Sequence, residues 1–230
     1  DPTMTWPHRI IAQFDDEKQR PEGLDVADIN GDGTVDIVGG GYWFEHLREN
    51  DYRVHTIDAD YRFTRCAAGD LIKGGRPEVV IGSGDQTGPL NLYEWNGSSW
   101  DKTTLIPFLN HGHPLRVGDI DGDGNQDIYT AEMYRPGAGQ NCRQIILYGD
   151  GNGNFKTRVL STGYGTHEGR IGDLDGDGDL DALVVNYVAQ PNRIWLNDGS
   201  GIFTDSGQDL GSSDSNYVDL GDLDGDGDLD

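Results

Sequence analysis

Four nonapeptides in this chain have the residue types and spacing to hold a hard cation. They are D-I-N-G-D-G-T-V-D at 28–36, D-I-D-G-D-G-N-Q-D at 119–127, and D-L-D-G-D-G-D-L-D at both 173–181 and 222–230. Oxygen donors stand at the first, third, fifth, seventh and ninth places. In the first copy these are Asp28, Asn30, Asp32, Thr34 and Asp36. The second copy has Asp119, Asp121, Asp123, Asn125 and Asp127. The third has Asp173, Asp175, Asp177, Asp179 and Asp181. The fourth has Asp222, Asp224, Asp226, Asp228 and Asp230. Several carboxylates converge on one point, the backbone carbonyl at place seven adds a ligand, and glycines at places four and six permit the tight turn. All-oxygen ligation in a flexible loop suits Ca²⁺ better than Mg²⁺ or Zn²⁺. The expectation is about four structural Ca²⁺ sites. A worn copy, D-L-I-K-G-G-R-P-E at 70–78, has Ile72 and Gly74 where two ligands would stand and Lys73 and Arg76 alongside, and is expected to hold no ion.

A disordered acidic linker would lack the alternating apolar runs that flank each loop. An EF-hand needs a Glu at place twelve and a helix on either side. Here place twelve is Gly39, Thr130 or Val184, and the residues after each loop (I-V-G-G, I-Y-T-A, A-L-V-V) read as strand. The nine-residue tandem arrays of secreted toxins are excluded because these copies do not abut.

The loops punctuate a longer repeat. Units are led by Asp28, Asp70, Asp119, Asp173 and Asp222, spaced near 50 residues apart. Each unit has an apolar run into the loop, a second strand out of it and a third strand carrying an aromatic. A Gly/Asn/Asp turn and a fourth strand follow. That turn chemistry is what a tight hairpin demands, and the period is that of a β-propeller blade. The fold class is therefore all-β, with four-stranded antiparallel blades in one domain spanning 1–230. Residues 1–14 read as the last strand of a blade, and the chain stops on the last ligand of a fifth loop. This pattern suggests a piece of a larger ring, with a five-unit ring closed within the chain as the alternative.

The D-x-D-G-D-G-x-x-D copies, each followed by a short strand, resemble the FG-GAP/VCBS repeats of calcium-loop propellers such as integrin α-subunits and some fungal lectins. The resemblance covers nearly the whole chain and implies a ring of seven blades. It says much about architecture and little about activity.

The net charge is −24, from 41 acidic and 17 basic residues, and the loops carry much of the excess. A nucleic-acid partner would call for a basic face. No apolar run is long enough to span a membrane, so membrane insertion is not expected. Calcium loops of this kind suit a secreted or cell-surface setting, and the first residues read as a trimmed start. Whether Cys66 and Cys142 pair is open.

A four-stranded meander sends its one-to-two and three-to-four connections to one face, and its other connections to the opposite face. The calcium loops and Gly-rich turns share the first, which is read as structural. The second receives His, Arg, Tyr and Asn, and loops on a rigid ring are a common home for binding sites. The candidate ligand-binding residues there are His111, His113, Tyr134, Arg135, Tyr164, His167, Arg170, Tyr187 and Arg193. Six places before each leading Asp stand Glu22, Thr64, His113, His167 and Asn216. Equivalent positions ring the axis, so His113 and His167 should be neighbours, with Glu22 and Arg170 as companions. Two imidazoles could act as base and acid or share a transition metal; the plainer alternative is that each bonds its own inter-blade loop. Trp43, Trp95 and Trp195 recur in the third-strand register, which points to packing between blades. Trp6 and Trp100 precede fourth strands and read likewise.

Three function classes follow. The first is a recognition module for polysaccharide or glycoprotein. The second is a polysaccharide lyase or sugar dehydratase. In it Arg135, Arg170 or Arg193 would neutralise a carboxylate, and His113, His167 or Tyr164 would take the proton. No catalytic residue is assigned; His113, His167 and Arg170 are the candidates. The third is an adhesion or assembly unit binding other protein chains.

Overall fold

A computed structural model describes residues 9–14, 21–134, 141–186 and 190–229. Among these the chain forms sixteen strands and no helix. They make four antiparallel four-stranded sheets, each a simple meander. Blade one contains β1 (Leu24–Ala27), β2 (Asp36–Gly39), β3 (Tyr42–Arg48) and β4 (Asp51–Thr56). Blade two contains β5 (Thr64–Gly69), β6 (Glu78–Ser83), β7 (Thr87–Trp95) and β8 (Trp100–Asn110). Blade three contains β9 (Gly112–Gly118), β10 (Asp127–Glu132), β11 (Arg143–Gly149) and β12 (Phe155–Thr162). Blade four contains β13 (Thr166–Gly172), β14 (Asp181–Asn186), β15 (Arg193–Asn197) and β16 (Phe203–Asp205).

The nonapeptides at 28–36, 119–127 and 173–181 each lie between the first and second strands of a unit, where the pattern placed them. The segment 9–14 is not a strand, contrary to expectation: Phe14 instead stacks on Tyr42, with ring centroids 4.3 Å apart. Residues 1–8 lie outside the described residues. Among the described residues no strand follows β16, so the fifth unit supplies its inner segment and loop without a sheet.

No blade has a core of its own. Apolar side chains gather in three layers, each shared by two blades. Val38 and Trp43 of blade one meet Cys66, Val79, Ile81 and Tyr93 of blade two. Val80, Leu90 and Leu92 of blade two meet Ile128, Ile145 and Leu147 of blade three. Tyr129 and Ile146 of blade three meet Ala182, Val184 and Trp195 of blade four. The central strands are buried on both faces, as β6 and β10 show at every residue. Trp43 and Trp195 are thus inter-blade packing. Trp95 and Trp100 join Trp43 in an edge-on cluster, with centroid distances of 5.3 to 6.5 Å. Trp6 lies outside the described residues. Cys66 and Cys142 are both free and buried.

The inner strands β1, β5, β9 and β13 stand side by side around the axis. Small residues before the loops let them close up. A Cβ on Gly118 would sit 2.9 Å from Ile171, and one on Gly172 would sit 2.8 Å from Leu229. This spacing brings side chains from four successive units to one mouth.

Candidate functional site

The two faces carry different chemistry. On the loop face each nonapeptide folds around its own carboxylates. Asp173 accepts from Gly176 N and Gly178 N at 2.8 and 3.0 Å, and Asp222 accepts from Gly225 N and Gly227 N at 2.6 and 3.1 Å. The glycines at places four and six all have positive φ, from 69° to 101°, which L side chains resist. The ninth-place aspartates of the first three nonapeptides are buried and each takes two backbone N–H groups. Asp127 accepts from Ile120 N at 2.9 Å and Gly149 N at 2.8 Å; Asp181 accepts from Leu174 N at 2.9 Å and Asn197 N at 2.8 Å. Asp36 does the same with Ile29 and His46. The last loop acid thus ties strand two to strand three as well as facing the loop centre.

Three loops bring ligand oxygens within 4.8 Å of one another: Asp119, Asp121 and Asp127; Asp173, Asp175 and Asp181; Asp222, Asp224 and Asp226. Asp230 lies outside the described residues. The donor set fits a hard cation. Asp119 shows it best, since its Oδ2 accepts from Gly124 N at 2.9 Å while its buried Oδ1 has no hydrogen-bond partner. The worn loop differs. Leu71 is fully buried, Lys73 N donates to Gly151 O of blade three at 2.9 Å, and Ile72 N donates to Glu78 Oε2 at 2.8 Å.

At the opposite face, His113 and His167 are neighbours with ring centroids 4.6 Å apart. Glu22 Oε2 lies 4.0 Å from His113 Nε2. Both imidazoles are bonded to other units. Arg65 Nη2 of blade two lies 2.8 Å from His113 Nδ1, and Asp85 Oδ1 lies 3.1 Å from its Nε2. A guanidinium only donates, so Nδ1 accepts and the imidazole proton sits on Nε2, facing Asp85. Burial, with Arg65 and His167 alongside, pushes His113 down to about 3. His167 Nδ1 donates to Asn216 O of the fifth unit at 3.0 Å, and burial lowers its pKa too.

Glu22, Asp85 and His113 also bring ligand atoms within 4.8 Å. The tautomer argues against a cation there, because Nε2 presents a proton while Arg65 holds Nδ1. A metal shared by the two imidazoles does not suit this arrangement.

The centre of the mouth is Glu168, whose side chain is 3% exposed. Three guanidiniums from three blades converge on it. Arg65 is 3.1 Å away, Arg116 2.7 Å and Arg170 3.2 Å. Burial raises its carboxyl while Arg65 pulls it back. Arg170 also holds Asp219 at 3.0 Å and donates to Tyr217 Oη at 2.9 Å. Sequence reasoning singled out the histidines and Arg170 and passed over Arg65, Asp85, Arg116 and Glu168. The signal was available for two of these, since Arg65 and Glu168 both stand five places before a leading Asp.

Other candidates lie elsewhere. His111 sits on the same face in a left-handed backbone, φ 52°, with Nδ1 2.7 Å from Asn110 Oδ1. Tyr164 is covered by Arg193, whose guanidinium carbon lies 4.7 Å from the ring centroid, while Arg193 pairs with Asp205 at 2.8 Å. Tyr134 lies against Gly165, leaving no room for a Cβ there. Arg135 and Tyr187 lie outside the described residues.

The model of the FG-GAP-like repeat matches residues 70–130 and 173–230, more than half of the chain. The chain belongs to the FG-GAP-like repeat family. Phosphatidylinositol-glycan-specific phospholipase D of Rattus norvegicus is 26% identical over 155 residues, covering 50% of this chain and 18% of the rat protein. The chain therefore spans less than a fifth of that relative's length. FG-GAP-like membership and the four meander sheets together give a β-propeller-like module of the recognition and adhesion type. Among the described residues no helix is long and apolar enough to cross a membrane.

Proposed function

We propose that this FG-GAP-like chain is a secreted, calcium-stabilised recognition module that grips polysaccharide or glycoprotein at the mouth opposite its acidic loops. One observation carries the reading. Side chains from the second, third, fourth and fifth units meet at that mouth in a fixed polar network, while the other face is occupied by loops folding on themselves. Rigid loops that present Arg, His, Tyr and carboxylates are suited to hydroxyl-rich ligands. Each Ca²⁺ would be held by the carboxylates and side-chain oxygens of its nonapeptide, and would neutralise acids that otherwise repel. Binding of an ion to the folded form alone stabilises it by mass action. FG-GAP-like repeats are found mostly in extracellular proteins, where millimolar calcium would fill such loops. The rat relative's name specifies a phosphatidylinositol glycan, which agrees with a glycan ligand; the share covered is too small to carry the phospholipase activity across. The seven-blade count comes from the resemblance alone.

The test is a glycan array probed in calcium, with wild type beside His167→Ala and Arg170→Ala. Binding that falls in both variants with the fold intact supports the reading. Absence of binding to every glycan and glycoprotein overturns it. A lyase reading gains one specific observation, a His167 imidazole whose pKa burial lowers, on the same inner strand as Arg170, which donates to Tyr217. Growth of unsaturated-uronate absorbance on acidic polysaccharides would favour it over simple binding. Silence across a panel would remove it.

A further inference from the structure

Blade two stands taller than blade one on the mouth face. Its β7 and β8 have nine and eleven residues, against seven and six for β3 and β4. Blade one turns from β2 to β3 through only Gly40 and Gly41. Gly41 must be glycine, because at φ 83° a Cβ would collide with Asp58 O of the chain lying over it. The step between the two blades leaves a cleft of about 230 Å³, whose lining includes Asp58, Asp60, Tyr61, Arg62, Ser83, Gln86 and Lys102. That is below the roughly 300–1,000 Å³ of drug-sized sites, and suits a single sugar ring.

The cleft is built rather than incidental. Asp58 accepts from Tyr93 Oη at 2.6 Å and from Lys102 Nζ at 2.8 Å. Asp58 N and Ile57 N both donate to Gly41 O. Gly84 N donates to Phe63 O, and Gln86 O accepts from His111 N at 3.1 Å. Tyr61 and Asn91 are hydrogen-bonded beneath it. At its rim Arg62 makes no ion pair among the described residues, and its guanidinium lies 5.3 Å from the Phe63 ring. Lys102 offsets Asp58, while Asp60 and Arg62 line the same cleft without pairing to each other, which leaves the Arg62 guanidinium's donors for an anionic ligand group. The acidic loops are on the opposite face, and physiological salt screens charges more than about 8 Å apart.

The cleft and the mouth share one loop. Asp85, between β6 and β7, turns toward the axis and holds His113, while Ser83 and Gln86 on either side of it line the cleft. We propose that the ligand is an acidic oligosaccharide laid radially, one unit at the mouth and a neighbouring unit in the cleft, with its anionic group against Arg62. This rests on the glycan reading above and adds the charge, minimum length and direction of the ligand. Two linked subsites make the second contact intramolecular, so affinity depends on chain length.

The experiment is titration calorimetry in calcium-saturated buffer. It uses oligouronates of one to four units, their methyl esters, and sulfated neutral oligosaccharides of equal length. The expected result is an affinity rising about tenfold or more from one unit to three, then levelling. Arg62→Ala should cost about tenfold for the charged ladders and leave the methyl esters unchanged. A sulfate ladder that outperforms the uronates would identify the anion as sulfate within the same site. Gln86→Trp, which fills the cleft while keeping the backbone bonds, should abolish the gain with length. His167→Ala should weaken every length equally. If Arg62→Ala and Gln86→Trp bind all ladders like wild type while His167→Ala does not, the cleft proposal falls and the mouth reading stands. If wild type binds no oligosaccharide, both fall. Melting curves for each variant separate lost binding from lost fold.

Discussion

His113 should make this fold acid-sensitive in a way that one substitution isolates. Its imidazole takes a proton at about 6.5 in the unfolded chain and at about 3 in the fold, where burial and Arg65 oppose a second charge. The unfolded state therefore binds the proton first as pH falls. Stability from this group is complete above 6.5 and is lost progressively down to 3. Between pH 7.5 and pH 5 the loss comes to about 2 kcal/mol, from the linkage relation applied to those two values. Other buried groups titrate as well, and Glu78, pushed up to about 7 by burial, works in the opposite direction. A comparison with His113→Gln, which cannot titrate, removes them. Urea unfolding of both proteins across this range gives a stability difference at each pH. The wild-type advantage should shrink by about 2 kcal/mol on going to pH 5, or about 4–8 °C in melting temperature for a chain this size. A difference flat to within about 0.5 kcal/mol would refute the tautomer and burial argument, since it would mean that His113 meets water and protons freely.

Glu168→Gln should lower stability by about 3–5 kcal/mol, because it leaves three guanidiniums around a neutral amide; thermal melts check this. Pairing it with Arg65→Met in a double-mutant cycle should give a coupling of about 1 kcal/mol or more, and additive effects would deny the clamp. Removing calcium with a chelator should lower the melting temperature, since an ion at about a hundred times its dissociation constant stabilises by about 2.7 kcal/mol per site. An unshifted melt would contradict ion-filled loops. Gly149→Ala should destabilise by about 1–3 kcal/mol in urea titration, because the new Cβ would run into the Gln126 carbonyl and lie 3.2 Å from the Phe155 ring.

The strand order was legible because three local signals agree in units one, three and four: alternation before the loop, glycines at places four and six within it, and a Gly/Asn/Asp hairpin after the third strand. Register carried further than composition did. Counting back from the leading aspartates put His113 beside His167 without any coordinates. The same count did not reveal what holds them, because Asp85 comes from a two-to-three loop whose reach toward the axis depends on the height of blade two. Glu168 was missed for a different reason. A lone acid in an acidic chain looks solvated, and only the closure of β5, β9 and β13 around the axis turns it into the meeting point of three arginines. Segment 9–14 misled because W-P-H-R-I-I-A-Q-F carries the fourth-strand pattern, whereas Phe14 is used for packing against Tyr42.

The worn second loop explains how one unit can do without the donor set of the others. In units one, three and four the ninth-place aspartate ties loop to sheet, and in units three and four it also faces two further acids, an arrangement that a cation would offset. In unit two Glu78 keeps the backbone tie through Ile72 N, yet the acids that would repel it are replaced by Ile72 and Gly74. The loop then docks on its neighbour, with Lys73 N bonded to Gly151 O and Ile72 packed beside Gly153. Burial raises Glu78 to about 7, so it can be held as a neutral acid with no counter-ion. Acids at the mouth are offset in a third way, by arginines drawn from neighbouring blades. Protonation and guanidinium pairing, and the cation proposed for the loops, are three answers to one problem, the burial of carboxylates where strands converge. The guanidinium network joins three blades at the mouth, and on that ground recognition is proposed for the mouth and stiffness for the loops.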